Sequence, residues 1–187
     1  MNTADKRTVR TRKKLTKALI ELLLKQDYES ISIRHITQQA NVGYATFFRH
    51  YTSKDDLLAE AFRESVAQLE TLLQTVGTSG SPEEEGRLIF EHVAANSELY
   101  HVFLQGEGTQ GLIEHSMREG VKELVLKFAR YTPSIPAAIL ANHMVSSIIS
   151  LIKWWLHNEM PFPPDRMGKI YAELIVDPVE RLVHTPK

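Results

Sequence analysis

The residues best equipped for chemistry in this 187-residue sequence are basic and crowd into its first third. Lys6, Arg7, Arg10, Arg12, Lys13, Lys14 and Lys17 face only Asp5 within the first twenty positions. Residues 1–60 hold 11 Lys+Arg against 7 Asp+Glu, a net of +4, while the remaining 127 hold 11 against 16, a net of −5. Such an asymmetry points to a polyanion-binding head joined to a body with a different task. A solvated helix start would give the same charges, so composition alone leaves both readings open.

Other chemistry finds no support. With no cysteine, disulfides, Cys-ligated zinc, iron–sulfur clusters and thiol catalysis are excluded. The eight histidines (35, 50, 92, 101, 115, 143, 157 and 184) never stand three or four apart, so no helix offers a two-His metal site. Glu83, Glu84 and Glu85 follow a proline and read as a helix start favoured by the dipole. No G-x-S-x-G, P-loop or G-x-G-x-x-G motif is present. Neither catalysis nor a metal or cofactor is expected.

Helices must position these groups. The composition, 43% apolar and 24% charged, is that of a globular protein, and neither strand alternation nor a hairpin turn occurs. Leu15, Ala18, Leu19 and Leu22 give a first helix its apolar stripe, with Asp27 ending it and Tyr28 packing back. Ser32 is an N-cap for a short helix to about Ala40 that turns in Ile33, Ile36 and Ala40. Asn41 suits a left-handed turn, and a third helix to about Tyr51 buries Phe47 and Tyr51. Ser53-Lys54-Asp55-Asp56 is a capping box that opens a long helix to about Val76, with Leu57, Leu58, Ala61, Phe62 and Val66 inside. Breaker-rich stretches then separate helices at about 83–96, 98–105, 112–131, 136–158 and 165–176. The fold class is all-α.

Two short helices joined by a tight turn and followed by a long one describe a helix-turn-helix. The first short helix braces the second, whose N-terminal residues enter a DNA major groove. Arg10, Arg12, Lys13 and Lys14 lie upstream, where a helix end or arm adds phosphate or minor-groove contacts.

The stretch from Ile33 to Leu57, above all Thr46-Phe-Phe-Arg-His-Tyr51 with Lys54 and Leu57, strongly resembles the DNA-binding domain of TetR/AcrR-type transcriptional regulators. The resemblance covers about residues 8–68. It implies that Thr46, Phe48 and His50 meet phosphates or bases and that Tyr44, Ala45 and Arg49 read sequence. Lys54 would fasten the next helix to the DNA backbone, aided by that helix's N-terminus, with Ser32 and Arg34 flanking the groove. Several residues depart from the family pattern. Phe48 stands where Tyr is commoner, Gly43 replaces a Ser or Thr cap and frees the backbone to approach DNA, Asn41 replaces Gly, Thr37 replaces Ala, and His35 replaces an acidic capping partner. Phe47, Tyr51 and Leu57 belong to the core.

For residues 69–187 the resemblance implies a helical domain that dimerises and binds a small molecule. Leu151-Ile-Lys-Trp-Trp-Leu156 followed by Met160-Pro-Phe-Pro-Pro164 looks like a TetR-type subgroup known chiefly from Firmicutes. Helix 136–158 is apolar most of the way round. Leu140, Ser147, Leu151 and Trp155, with Ile170 and Leu174 of the next helix, are its candidates for a four-helix dimer interface. Tyr100, His101, Phe103, His143 and Met144 are candidate ligand linings, although such residues are more often core. Residues 131–152 carry no formal charge and suffice in length for a membrane span. Pro133, Pro136, Asn142, His143, Ser146, Ser147 and Ser150 within them fit a helix buried among helices better. No export signal is read at the N-terminus. The expected whole is a cytoplasmic, nucleoid-associated homodimer on double-stranded DNA, a repressor of a pseudo-palindromic operator released by a small-molecule effector. A ligand-independent activator or architectural DNA binder, and a helical protein–protein adaptor, remain alternatives.

Overall fold

In the computed structural model, residues 3–76, 80–105, 110–131 and 133–183 are described, and these are helical with no strand among them. The head comprises α1 (Thr3–Leu23), a 3₁₀ turn (Tyr28–Ser30), α2 (Ile33–Gln39), α3 (Tyr44–Phe47) and the first half of α4 (Lys54–Val76). The body comprises α5 (Pro82–Ala95), α6 (Ser97–Gln105), α7 (Gln110–Phe128), α8 (Ala137–His157), α9 (Pro164–Tyr171) and α10 (Asp177–Val183). A wide π turn, Ala172–Val176, joins α9 to α10.

The apolar stripes fall where their spacing put them. Leu15, Ala18 and Leu19 of α1 are buried against Ile36, Ala40, Phe47, Tyr51, Leu57, Leu58, Ala61 and Phe62. Leu99, Val102 and Phe103 of α6 complete that same core, so the head is closed from below by a helix of the body. A second core joins Phe90, Val93 and Ile89 of α5 to Trp155, Met167 and Tyr171. Leu69 and Leu73 of α4 pack on it. A domain boundary near residue 68 thus falls inside one continuous helix, α4.

Two expectations about helix ends are corrected. The regular part of α3 stops at Phe47, and bonds from Arg49 N–H to Thr46 O (3.3 Å) and His50 N–H to Phe47 O (2.9 Å) tighten its last turn. The final helix does not stop near Val176 but runs on to Val183. Pro178 looks like a terminator because it lacks an N–H and its ring crowds the preceding turn. The chain widens just before it, where Asp177 N–H reaches five residues back to Ala172 O, and so carries the helix past the proline.

The body hinges on two glycines invisible to hydrophobic patterning. A Cβ on Gly86 of α5 would lie 2.6 Å from the Tyr171 ring and 2.9 Å from Gly168 Cα. One on Gly168 of α9 would lie 2.5 Å from Glu83 O and 2.7 Å from Arg87 N. The two helices therefore cross backbone to backbone. Next to this crossing, Trp155 meets Phe90 edge to face (5.0 Å) and donates from Nε1 to Phe162 O (2.9 Å), which ties the α8–α9 connection down. Gly168→Ala should destabilise the fold by about 2 kcal/mol or more, since the opposing atoms are backbone and cannot step aside. Gly120→Ala, whose Cβ would meet only Val145 at 3.6 Å in mid-α7, should stabilise it by about 0.5–1 kcal/mol. Urea unfolding of both variants beside the parent checks the contrast.

Candidate nucleic-acid interface and body cavity

The α2–α3 unit is built by caps and one anchor. Ser32 Oγ accepts from His35 N–H (3.2 Å) while His35 Nδ1 accepts from Ser32 N–H (3.3 Å). Histidine thus supplies the reciprocal half of a box that a carboxylate usually completes. Asn41 holds the left-handed turn with φ 53°. Gly43 opens α3 with no side-chain cap. Fully buried Phe47 then pins one face of α3 to the core, which forces the opposite face outward.

That outward face carries Tyr44 (53% exposed), Ala45, Phe48 (49% exposed) and Arg49. The Tyr44 and Phe48 rings meet edge-on at 5.3 Å, and Arg49 Nη2 donates to Thr46 Oγ1 at 2.6 Å. Arg34 lies beside Tyr44 on a concave surface that also takes in Thr37, Gln38, Asn41 and Gly43. His50 is half-buried, and its pKa is held below the usual histidine value by burial and by Arg12 and Arg49. On α1, Lys6, Arg10, Lys13, Lys14 and Lys17 line a shallow basic groove, as part of a helix that starts at Thr3.

Two expected phosphate donors are partly engaged elsewhere. Arg12 reaches Glu60 (3.4 Å) and lies over the Tyr51 ring (5.7 Å). Lys54 donates to Tyr28 O (2.7 Å) with its ammonium 4.0 Å from the Tyr28 ring centre, and Tyr28 in turn donates to Asp55. Lys54 therefore clasps the 3₁₀ turn to the start of α4. The capping box at Ser53 is shifted too. Ser53 Oγ accepts from Asp56 N–H (3.1 Å), but the Asp56 carboxylate turns to Thr52 N–H (3.0 Å).

The body places the other candidates differently. Phe103 is fully buried against Phe62 (4.3 Å), and Tyr100 is buried edge-on to His92 (5.8 Å), because α6 is used up in closing the head and lining the second core. Both are core rather than pocket. His143 is exposed and His101 is half-buried, and neither borders the cavity that Met144 lines. Only Met144 of the five borders the cavity of about 330 Å³ enclosed by α5, α7, α8 and α9–α10. Its walls include Leu124, Phe128, Val145, Ile148 and Ile175, and its polar groups are Glu85, Lys127, Tyr131, Tyr171 and Glu180. Sequence reading missed this site, since Glu85 looked like a helix-start carboxylate and nothing local showed that α9–α10 folds over it.

Two of the residues expected at a dimer interface are taken up within the chain. Leu140 and Trp155 are buried in the chain's own cores, so neither is free to meet a second chain. The outward stripe of α8 instead runs through Ile139 (59% exposed), His143, Ser146, Ser150 and Trp154 (46% exposed). Ser147 and Leu151 sit at its edge, and Ile170 is half-buried. Leu174, expected there, is 64% exposed.

Comparison with known proteins bears directly on this arrangement. A family described as bacterial regulatory proteins, tetR family, matches residues 15–61, and one described as a transcriptional regulator C-terminal region matches residues 81–177. An uncharacterised HTH-type transcriptional regulator of Bacillus subtilis, YxbF, is 28% identical over 181 residues. The match spans 91% of this chain and 46% of YxbF, so the chain spans about half the length of that relative. The crystal structure of a TetR transcriptional regulator from Streptococcus agalactiae superposes with a TM-score of 0.63 at 26% identity, over 92% of this chain and 97% of that one. NalD of Pseudomonas aeruginosa, the secondary repressor of a multidrug efflux pump, shares the fold with a TM-score of 0.74 at 18% identity, over 96% and 100% of the two chains. The tetR-family match over the head and the C-terminal-region match over the body agree with the outward face of α3, and the chain belongs to the TetR family of DNA-binding transcriptional regulators.

Proposed function

We propose that this regulator is a ligand-responsive repressor that binds a pseudo-palindromic operator as a homodimer in the cytoplasm, on the nucleoid. The observation that carries the reading is the orientation of α3, whose buried Phe47 turns Tyr44, Ala45, Phe48 and Arg49 to solvent. Each subunit lays α3 in a major groove, and two subunits read half-sites about one helical turn or more apart. Tyr44, Ala45 and Arg49 read bases. Thr46, Phe48 and His50 meet phosphates or bases, and Gly43 lets the backbone approach. Ser32, Arg34, Lys54 and the α1 lysines hold phosphates, which fixes the register without reading sequence. Phe48 has no hydroxyl, so its contribution is apolar, together with the Tyr44 ring it touches.

The second copy covers α8. That helix is long and apolar enough to cross a membrane by length and composition, yet only 17% of its apolar window is buried within the chain. Ile139 and Trp154 of α8 and Leu174 of the π turn are exposed apolar side chains that an isologous interface would cover twice over. An effector in the body cavity then selects a subunit arrangement whose two heads no longer match the operator spacing. The operator and effector are coupled through their differential affinity for two states, with no need to cover α3.

Three outcomes follow. Arg49→Ala and Tyr44→Ala should each reduce the preference for operator over random DNA by about tenfold. Lys54→Ala should weaken both DNAs alike and also lower the melting temperature, because its clasp on Tyr28 is lost. Competition anisotropy with the two DNAs, beside a thermal melt, checks all three variants, and equal losses on both DNAs for Arg49→Ala would refute the division of roles. His50 binds its proton less readily than usual in the free chain, and an approaching phosphate reverses that preference, so DNA binding takes up a proton. Affinity should therefore rise as pH falls from 8 to 6, with a smaller rise in His50→Gln. Trp154→Arg and Leu174→Arg should give monomers by light scattering, and a variant pair that stays dimeric would remove these side chains from the interface.

A further inference from the structure

We propose that the body cavity takes an amphipathic organic monocation, an ammonium or amidinium head on an apolar body, with the Glu85 carboxylate as its counter-ion. The assignment rests on the ligand-responsive reading above and names the chemistry of that site. Glu85 enters the cavity from the first turn of α5, one residue before the Gly86–Gly168 crossing. It is half-buried, its charged neighbours are Lys127 and Glu180, it also acts on the Tyr171 hydroxyl, and among the described residues no hydrogen bond to its carboxylate is seen. Burial pushes its pKa above the usual carboxylate value, Lys127 opposes that shift, and Glu180 adds to it.

A carboxylate held in this way costs the empty protein free energy that a cation at its side would recover. The surroundings suit such a head. The Tyr171 ring, against which α5 is packed so closely that no Cβ fits at Gly86, is buried in the cavity wall, which Phe128 and Tyr131 also line. Aromatic faces attract ammonium groups once water is displaced. Leu124, Met144, Val145 and Ile148 supply an apolar wall for the body of the ligand. Lys127, the one cation of the lining, is exposed at the end of α7, where its long stem lets the ammonium stay in water. Of the charged lining groups, Glu85 is the one partly withdrawn from water, whereas Lys127 and Glu180 are exposed.

A series of equal chain length and different charge tests this. Octyltrimethylammonium, octanol and octanoate, each below its aggregation concentration, are titrated calorimetrically into the full chain. The cation should bind most tightly and octanoate least. The isosteric Glu85→Gln should weaken the cation by about tenfold and leave octanol unchanged, while Val145→Trp, shown to be folded by circular dichroism, should block all three. Tightest binding by octanoate, lost in Val145→Trp, would overturn the cationic class while keeping the cavity as a ligand site. Cation binding that neither substitution changes would put the probe elsewhere and overturn the assignment. No binding by any of the three would overturn both the class and the cavity as the effector site.

Discussion

Phe62 of α4 and Phe103 of α6 lie with their rings 4.3 Å apart where the head meets the body. The rest of the structure depends on this shared packing. Helix α4 gives Leu57, Leu58, Ala61 and Phe62 to the head core and Leu69 and Leu73 to the body core. Helix α6 gives Leu99, Val102 and Phe103 to the first and Tyr100 and Leu104 to the second. Close-packed interiors do not deform continuously, so the body cannot shift without carrying the head with it. Beside the joint, Ser65 Oγ of α4 and His92 Nε2 of α5 make a buried hydrogen bond of 3.0 Å, which fixes the two helices polar group to polar group. Burial lowers the His92 pKa, so the pair favours the neutral ring.

Electrostatics divides the head into a framework and a reading surface. Arg12 and Lys54 are partly used on Glu60, Tyr51 and Tyr28, and these contacts hold α1, the 3₁₀ turn and α4 together. The groups left exposed are Arg34, Tyr44, Phe48 and Arg49 around α2 and α3 and the lysines of α1. A small three-helix head cannot bury much apolar surface. Cation–π and charge-assisted contacts at its rim add order where the core is thin.

The helices of the head were almost fully legible in the sequence, because each is set by local rules. Ser32 caps, Asn41 turns and Ser53 caps again through residues close by in sequence, and the spacing of four between Phe47 and Tyr51 marks the buried face. The His35 half of the first capping box was not legible, since histidine seldom plays that part. In the body, spacing revealed the helices but not their rotation. Helix α8 is apolar most of the way round, so periodicity could not decide whether Leu140 and Trp155 or Ile139 and Trp154 face the core, and tertiary packing turns Leu140 and Trp155 inward. The cavity was hidden for a different reason. It depends on Gly86 meeting Gly168 across 82 positions of sequence and on a π turn that carries the chain past Pro178, and neither has a local hydrophobic signature.

The central claim is that two copies of this chain present paired α3 helices to specific DNA. Fluorescence anisotropy across a salt series, with the intergenic DNA beside its own gene and a random duplex of equal length, tests it most directly. The account predicts tight binding of two chains per intergenic site, clear preference over the random duplex, and a steep fall in affinity with salt as phosphate contacts release counter-ions. Absence of binding to either duplex at low salt would contradict it and would turn attention to a protein partner for the same helices.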